Sequence, residues 1–481
     1  MNPSIATLMC VFGIAGLFYL DREKGARPSK AIWLPIIWMT LIGSRPLSVL
    51  LGFEPPTGNV QLEGSPIDAA FFGILTLAAI AVLIRRGNRA RTLLLANWPI
   101  VFYFVFCLIS VSWSFHPDVS IKRWIKATGD LAMVLVIVTD REPTVAFKRL
   151  ISRLGFVLLP VSVLLIKYYP YLGRASAPNG EMMNTGVTTD KNMLGVMLLV
   201  ISMGTLWHVI TLLRAKGQRD RRRHLIAQLA LLAFGVALLR MAHSSTSIAC
   251  FILGGGLIVA TNLRWFINRQ GRVHALCIAI LIAGVMTLWL GGMGSVAEAL
   301  GRQSTLSGRT AIWAAVIPAA SNPLVGSGFE GFWISPDVVK FQSALIGWWH
   351  PEYLNEAHNG YIEVYLNLGI LGVALIATIL ITGYLRAAKA LRKNWSFAGL
   401  MLAYIVAAVI YSITEAGFRM LDPIWIFLLL AIVSSTSITS GIFNRKALKV
   451  VAFRDKGTTQ PDGMQSNRSS EQIDAPRRRL S

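Results

Sequence analysis

Long apolar runs recur along nearly the whole 481-residue chain, and each can cross a hydrocarbon core of roughly 30 Å as a helix. Hydrophobic residues make up 54% of the chain and charged residues 15%, which is too little charge for a soluble protein of this length. We therefore predict an all-α fold, a polytopic transmembrane helical bundle of about 12–13 spans with one large external loop. The predicted spans are residues 4–20, 31–51, 67–84, 93–113, 124–139, 150–168, 192–213, 225–240, 244–263, 274–292, 361–384, 396–414 and 424–442.

Basic residues cluster in alternate connections between these spans. Those connections and the C-terminal tail hold 34 of the 46 Lys and Arg residues. Because such segments stay on the cytoplasmic side, the C-terminus is expected to be cytoplasmic and the N-terminus external. A twelve-span arrangement with both ends inside is the alternative if residues 4–20 do not cross.

Four regions follow from this pattern. Transmembrane helices are predicted over residues 1–293 and again over 361–442. A large external loop, too long to be a simple connector, separates them at residues 294–360. Residues 443–481 are polar and basic, and they are predicted to form a disordered cytoplasmic tail.

The composition also excludes several functions. The net charge of +22 does not indicate nucleic-acid binding, because the charges are spread over alternate loops instead of forming one patch. The four cysteines all lie inside apolar runs and form no CxxC pair, so they are predicted to be buried apolar residues. The histidines show no zinc-type spacing, and we predict neither a metal nor a cofactor.

His358 stands beside Asn359 and Gly360, where the long loop enters an apolar helix. A histidine there lies at the water boundary of the bilayer. The helix dipole disfavours the imidazolium, so the ring is expected to be neutral and able to accept a proton. The alternative is that His358 only anchors the helix at the interface.

Arg309 is the second candidate for chemistry. Residues 307–318 are predicted to form a short helix within the loop, with Ser307 as its N-cap, and Arg309 lies in the first turn. An arginine there combines a bidentate fork with the positive end of the helix dipole, which suits a diphosphate. The alternative for such an external arginine is contact with a lipid headgroup.

Three segments together resemble the O-antigen ligase and polysaccharide polymerase superfamily. Residues 307–313 (SGRTAIW) and 322–329 (NPLVGSGF) are similar to its SGRxxIW…PxxGxGxG pattern. Residues 357–372, which begin AHNGY, are similar to its HNxxL…GxxG pattern. Residues 186–195 (GVTTDKNMLG) resemble a motif of the exopolysaccharide-polymerase branch. The order and the spacing across the large loop also agree, and the resemblance covers roughly residues 95–435.

The resemblance implies a metal-independent membrane glycosyltransferase in the bacterial inner membrane, with its active site facing the periplasm. Its donor would be a glycan on undecaprenyl diphosphate and its acceptor a second glycan, among membrane lipids and in the company of proteins that regulate chain length and export. By resemblance His358 would deprotonate or orient the acceptor hydroxyl. The residues expected to hold the diphosphate are Arg309, Arg174 and Lys191. Further candidates for the site are Asn359, Glu415 and Arg419.

Some positions depart from the branch pattern. Thr185 stands where an arginine often precedes the glycine at 186, so which arginine partners Arg309 stays open between Arg174 and others. The function we predict is a polymerase that joins lipid-linked repeat units into exopolysaccharide. The alternative is the ligase that transfers the glycan to the lipid A core. The loop aromatics are expected to form an interfacial belt, sugar-stacking faces or both.

Overall fold

The computed structural model describes residues 2–22, 28–53, 64–176, 180, 182–215, 220–292, 307–338 and 355–441. The chain is almost entirely helical over these residues, with three-residue 3-10 turns at Lys30–Ile32, Val111–Trp113 and Phe332–Ile334. In chain order the α-helices are α1 (Pro3–Leu20), α2 (Trp33–Ile42), α3 (Leu47–Leu50), α4 (Pro66–Arg86), α5 (Asn88–Ala96), α6 (Trp98–Ser110), α7 (Pro117–Val138), α8 (Pro143–Tyr168), α9 (Pro170–Gly173), α10 (Lys191–Arg214), α11 (Arg221–Ala242), α12 (Ser245–Thr261), α13 (Gln270–Gly292), α14 (Ser307–Ala319), α15 (Gly360–Ala390), α16 (Trp395–Thr414) and α17 (Pro423–Thr439).

One short antiparallel pair interrupts the helices. Strand β1 (Arg174–Ser176) pairs with β2 (Met182–Asn184) between α9 and α10, and Arg174 stands opposite Asn184.

Several helices begin where the sequence supplies a capping side chain. Asp190 accepts hydrogen bonds from the first amides of α10, Asn359 from those of α15 and Asp422 from that of α17. These carboxylate and amide oxygens satisfy N–H groups that have no partner inside the helix. The same caps fix the chain ends around which the candidate site is built.

Eight of the described helices are long and apolar enough to cross a membrane. The pair Asn88–Ala96 and Trp98–Trp113, bent by 86°, can supply a ninth. Three shorter apolar helices of 10–17 residues are Lys30–Ile42, Ser245–Thr261 and Gln270–Met286. The span predicted at 124–139 lies in α7, whose N-terminal part carries Lys122, Arg123 and Lys126. The all-α polytopic class is confirmed.

The helices α16 and α17 lie at the centre of the bundle. In each, 89% of the apolar window is buried, against 11% for α1 and 17% for α4. The peripheral helices therefore present apolar side chains outward, as expected for contact with lipid.

Polar contacts between helix ends define two ends of the bundle. At the first, the basic end, Arg86, the last residue of α4, pairs with Asp140 after α7 at 3.1 Å. Arg214 of α10 donates to Asn262 after α12 at 2.9 Å. Lys393 after α15 likewise donates to the carbonyl of Thr439 in α17. The starts of α10, α15 and α17 lie at the opposite end, which we call the site end.

Two predicted spans have different boundaries. The span predicted at 31–51 stops at Ile42, because Gly43 and the Pro46 segment break the helix before the short α3. The span predicted at 361–384 is interrupted at Gly369, whose φ of 62° and ψ of −165° are not helical. The predicted tail 443–481, and the parts of the predicted loop at 294–306 and 339–354, lie outside the described residues.

The loop after α14 accepts hydrogen bonds from the backbone amides that follow this break in α15. The amides of Ile370 and Leu371 donate to the carbonyls of Pro323 and Leu324 at 2.9 and 3.2 Å. A Cβ on Gly369 would lie 2.2 Å from the Leu324 carbonyl carbon. The glycine is therefore required both for its positive φ and for the close approach of two backbones.

Candidate active site

A cleft of about 650 Å³ opens at the site end, between the start of α10, the segment before α15 and the connection from α16 to α17. Titratable side chains from all three segments meet in it, although they are far apart in sequence. The residues that line it are Met183, Asp190, Lys191, Asn192, Met193, Val196, Asn355, Glu356, His358, Tyr411, Glu415, Ala416, Arg419, Met420, Leu421 and Asp422.

His358 lies in the wall of this cleft, in the left-handed region with a φ of 48°. Its Nδ1 atom is 2.7 Å from Oε1 of Glu356 and 3.6 Å from Oε2 of Glu415. Burial by itself lowers the pKa of the imidazole, but these two carboxylates outweigh it and raise the pKa to about 9. The expectation of a neutral ring is therefore wrong, because two anions within ion-pair distance outweigh the helix dipole.

Glu356 belongs to a chain of charges along the same wall. Burial alone would raise its pKa, but the hydrogen bond and charge of His358, with the charges of Arg419 and Arg309, lower it to about 2. Arg419 lies 3.3 Å from Glu356 on one side and 3.5 Å from Glu330 on the other. These opposite charges hold one another in place on the cleft wall.

Glu415 connects the candidate arginine to the histidine. Arg309, the third residue of α14, donates to Oε1 of Glu415 at 2.8 Å, and Asn192 donates to Oε2 at 3.3 Å. Trp313, one turn further along α14, donates to the carbonyl of Ala357 at 2.8 Å. Because α14 is tied to the chain on both sides of the site, Arg309 and His358 are held against one carboxylate.

The other candidates occupy different positions. Lys191 lines the cleft as the first residue of α10. Arg174 is exposed on β1, donates to the carbonyl of Ile166 at 3.2 Å and is not among the lining residues. Asn359 caps α15 and donates to the carbonyl of Ile413, so its amide is used to position His358. Of the candidates for the diphosphate, Lys191 lines the cleft and Arg309 is bound to Glu415 in its wall, whereas Arg174 does not line the cleft and donates to a backbone carbonyl of α8.

Sequence reasoning missed three residues of the cluster: Glu356, Glu330 and Asn192. These side chains meet their partners only in space, so their spacing in the sequence does not indicate the cluster. Glu356 offered one signal, since it stands two residues before His358. Asn192 offered another, since it belongs to the Lys191-Asn192 motif but was given no role.

The described residues contain one group that could offer ligands to a metal ion, Glu356, His358 and Glu415, with ligand atoms within 4.8 Å of one another. The protein's own cations already contact both carboxylates, Arg309 at Glu415 and Arg419 at Glu356. A divalent cation would have to compete with these arginines and with the protonated His358. The donor set fits a metal poorly.

Comparison with known proteins finds two similarities. A family model described as O-antigen ligase matches residues 229–377, a range that includes Arg309 and His358 but not Lys191, Glu415 or Arg419. The exopolysaccharide production protein ExoQ of Rhizobium meliloti (strain 1021) is 25% identical over 352 residues, which cover 71% of this chain and 76% of ExoQ. These matches support the resemblance to the O-antigen ligase and polysaccharide polymerase superfamily that the motifs predict, and the chain is similar to these multi-pass bacterial membrane proteins.

Proposed function

We propose that the protein is an inner-membrane polysaccharide polymerase that joins undecaprenyl-diphosphate-linked repeat units into exopolysaccharide. The observation that carries this proposal is that His358 and Glu415 line one polar cleft and that Arg309 is bound to Glu415. Such a cleft at the end of a membrane bundle suits a substrate with a charged, water-exposed head and a lipid tail. The donor's diphosphate would lie at the cleft and its polyprenyl chain in the bilayer.

The diphosphate is assigned to Arg309, Lys191 and Arg419. Arg309 can exchange its ion pair with Glu415 for a bidentate contact with a phosphate. Lys191 and Arg419 add positive charge from the opposite segments that line the cleft. Negative charge grows on the diphosphate as its bond to the sugar breaks, so these cations stabilise the transition state more than the ground state.

His358 is assigned to the acceptor hydroxyl. Glu356 and Glu415 hold Nδ1, which leaves Nε2 to meet a substrate. The acceptor oxygen bonds to the anomeric carbon of the donor, and the bond from that carbon to the diphosphate oxygen breaks. Undecaprenyl diphosphate leaves with the electron pair, and the hydroxyl proton passes to Nε2 of neutral His358. The two carboxylates then stabilise the imidazolium that forms.

Two features favour polymerase over ligase. ExoQ is by its name an exopolysaccharide production protein, and the Lys191-Asn192 segment, which resembles the polymerase branch, lines the cleft. The second candidate is the ligase that transfers the glycan to the lipid A core, which the description of the matching family favours. Both reactions use the same donor chemistry, and the acceptor distinguishes them.

Deletion of the gene, followed by gel analysis of glycans, separates the two. We expect loss of long polymer with single repeat units left on the lipid carrier. Complementation by the wild-type gene should restore the ladder, whereas the His358→Asn variant should not. Polymer that persists on the carrier but is missing from the lipid A core would establish the ligase instead.

The orientation assigned here puts the cleft in the periplasm and the C-terminus in the cytoplasm. It is supported by the positions of the basic connections at the opposite end of the bundle. A cysteine in place of Tyr171, which is 75% exposed at the site end, should react with a membrane-impermeant thiol reagent in a cysteine-free background. A cysteine in place of Trp265, 62% exposed near the basic end, should not react. The reverse pattern would invert the orientation.

A further inference from the structure

A second cleft, of about 700 Å³, lies on the loop after α14, where the loop packs against the chain just beyond α6. We call it the loop cleft. It is distinct from the reaction cleft, since no residue lines both. Its lining includes the aromatic residues Trp113 and Phe115 on one side and Asn322, Ser327, Ser335 and Asp337 on the other.

The hydroxyl of Ser327 is an unused polar group in the lining of this cleft. Ser327 is 8% exposed, and its buried Oγ atom has no hydrogen-bond partner within the protein. Its backbone amide, in contrast, donates to the carbonyl of Leu366 at 3.0 Å. A buried hydroxyl without a partner is costly, and a ligand that brings a hydroxyl of its own would satisfy it.

The cleft is preformed, because the loop is fastened to the opposite wall. The amide of Phe329 donates to Oγ of Ser110 at 3.0 Å. Gly328 has a φ of 90°, and a Cβ there would lie 2.7 Å from Cβ of Ser114. A rigid cleft of this kind binds a ligand without first having to order the loop.

The chemistry of the lining selects the class of ligand. Trp113 and Phe115 are 37% and 60% exposed, so their rings offer apolar faces. Asp337 is the one charged residue among the described lining residues, and it is acidic. No Lys or Arg is among the described lining residues, so the cleft offers no cation to a phosphate or an acidic headgroup. Hydroxyl and amide groups beside aromatic faces match a sugar ring, which is neutral and rich in hydroxyls.

We propose that the loop cleft is a carbohydrate subsite that holds a sugar residue of the glycan away from the reacting end. Ser327 and Glu330 are three residues apart, so their Cα atoms lie within about 11 Å of each other. Glu330 pairs with Arg419 of the reaction cleft, and one short segment therefore joins the two clefts. This inference rests on the proposed function, because it assigns the glycan of the same reaction to a second binding surface.

The test is a binding titration on the full-length protein in detergent. The first probe is a set of neutral oligosaccharides released by partial hydrolysis from the bacterium's own exopolysaccharide. Ser327→Ala should weaken their binding about 2- to 13-fold, the equivalent of one hydrogen bond of about 0.5–1.5 kcal/mol, without loss of thermal stability. Trp113→Ala should weaken it about tenfold. Tyr171→Ala, an exposed aromatic at the same end of the bundle, is the matched control and should bind normally.

The second probe is farnesyl diphosphate, a soluble short-chain polyprenyl diphosphate. Its binding should weaken in Arg309→Lys and stay unchanged in Ser327→Ala. If the oligosaccharides fail to bind the wild type, or bind Ser327→Ala and Trp113→Ala as tightly as the wild type, the loop cleft is not a sugar subsite. If farnesyl diphosphate binding does not depend on Arg309, the proposed function itself fails, whatever the sugars do.

Discussion

His358 and Glu356 form an ion pair in which Nδ1 lies 2.7 Å from Oε1, across a single intervening residue. The contact turns the ring so that Nδ1 is occupied and Nε2 is left for a substrate. It also stabilises the charged ring, with Glu415 contributing from 3.6 Å. The two carboxylates therefore make His358 a stronger base, and they also reduce the fraction of His358 that is neutral.

Replacing His358 by asparagine should reduce polymer formation by about 10²–10⁴, the usual contribution of a general base. Asparagine tolerates the left-handed φ of 48° at this position, so the backbone should be preserved. The matched control is His243→Asn, since His243 is exposed and has a φ of 52°. The measurement is polymer synthesis by membranes with equal amounts of protein. Activity above about a tenth of the normal rate would reduce His358 to an anchor.

The rate of the chemical step should rise with pH. With a pKa of about 9, His358 is charged at neutral pH and only about one ring in a hundred is neutral at pH 7. The neutral fraction grows about tenfold per pH unit below the pKa, so the rate should climb towards pH 9 and then level off. Glu356→Gln removes one carboxylate and should shift this rise to lower pH. A rate that is flat at neutral pH and falls above pH 9 would instead assign His358, as imidazolium, to the diphosphate.

Arg309→Lys should impair activity severely, because a lysine cannot reproduce a bidentate fork on a phosphate or on Glu415. Arg174→Lys should be nearly silent, since Arg174 donates to the carbonyl of Ile166, whereas Arg309 is bound to Glu415 in the wall of the cleft. Initial rates against donor concentration compare the two variants directly. The opposite ranking would restore Arg174 to the diphosphate site and remove Arg309 from it.

Purified activity should survive excess EDTA. Glu356 and Glu415 are already paired with Arg419 and Arg309, and the diphosphate can be neutralised by the same arginines. The assay is polymerisation before and after chelation, with magnesium and manganese added back. Loss on chelation and recovery with either ion would assign Glu356, His358 and Glu415 to a metal.

Gly369→Ala should destabilise the protein by about 1–3 kcal/mol or more, because alanine is strained at a positive φ and its Cβ would clash with the Leu324 backbone. Gly16→Ala is the control, since a Cβ there has no neighbour within 4 Å. Thermal unfolding of the two variants in the same detergent gives the comparison. Equal stability would mean that the junction between α15 and the loop after α14 tolerates a side chain.

The helical class and the positions of Arg309 and His358 in one site could be predicted from the sequence. The length of apolar runs depends on composition alone, and the motifs mark short contiguous segments. The contacts of His358 were harder to predict from the sequence, since Glu415 belongs to a different connection. Its carboxylate reaches the ring only through the packing of α15 against α16. The charge on His358 was mispredicted for the same reason. The start of a helix, and with it the effect of the helix dipole, can be predicted from the sequence, whereas an ion pair formed by tertiary packing cannot.

The break in α15 also has a consequence for the order in which segments of this protein fold and insert into the membrane. The amides of Ile370 and Leu371 are satisfied by carbonyls of Pro323 and Leu324, which leave the ribosome earlier. In the proposed orientation that earlier segment must first cross the membrane, and until it has folded these amides have no partner, which is costly in the bilayer. The final insertion of α15 therefore waits for a segment that folds outside the hydrocarbon core. A substitution at Pro323 or Gly326 should accordingly lower the amount of inserted protein, detected as degraded chains, instead of lowering the rate of a correctly inserted enzyme.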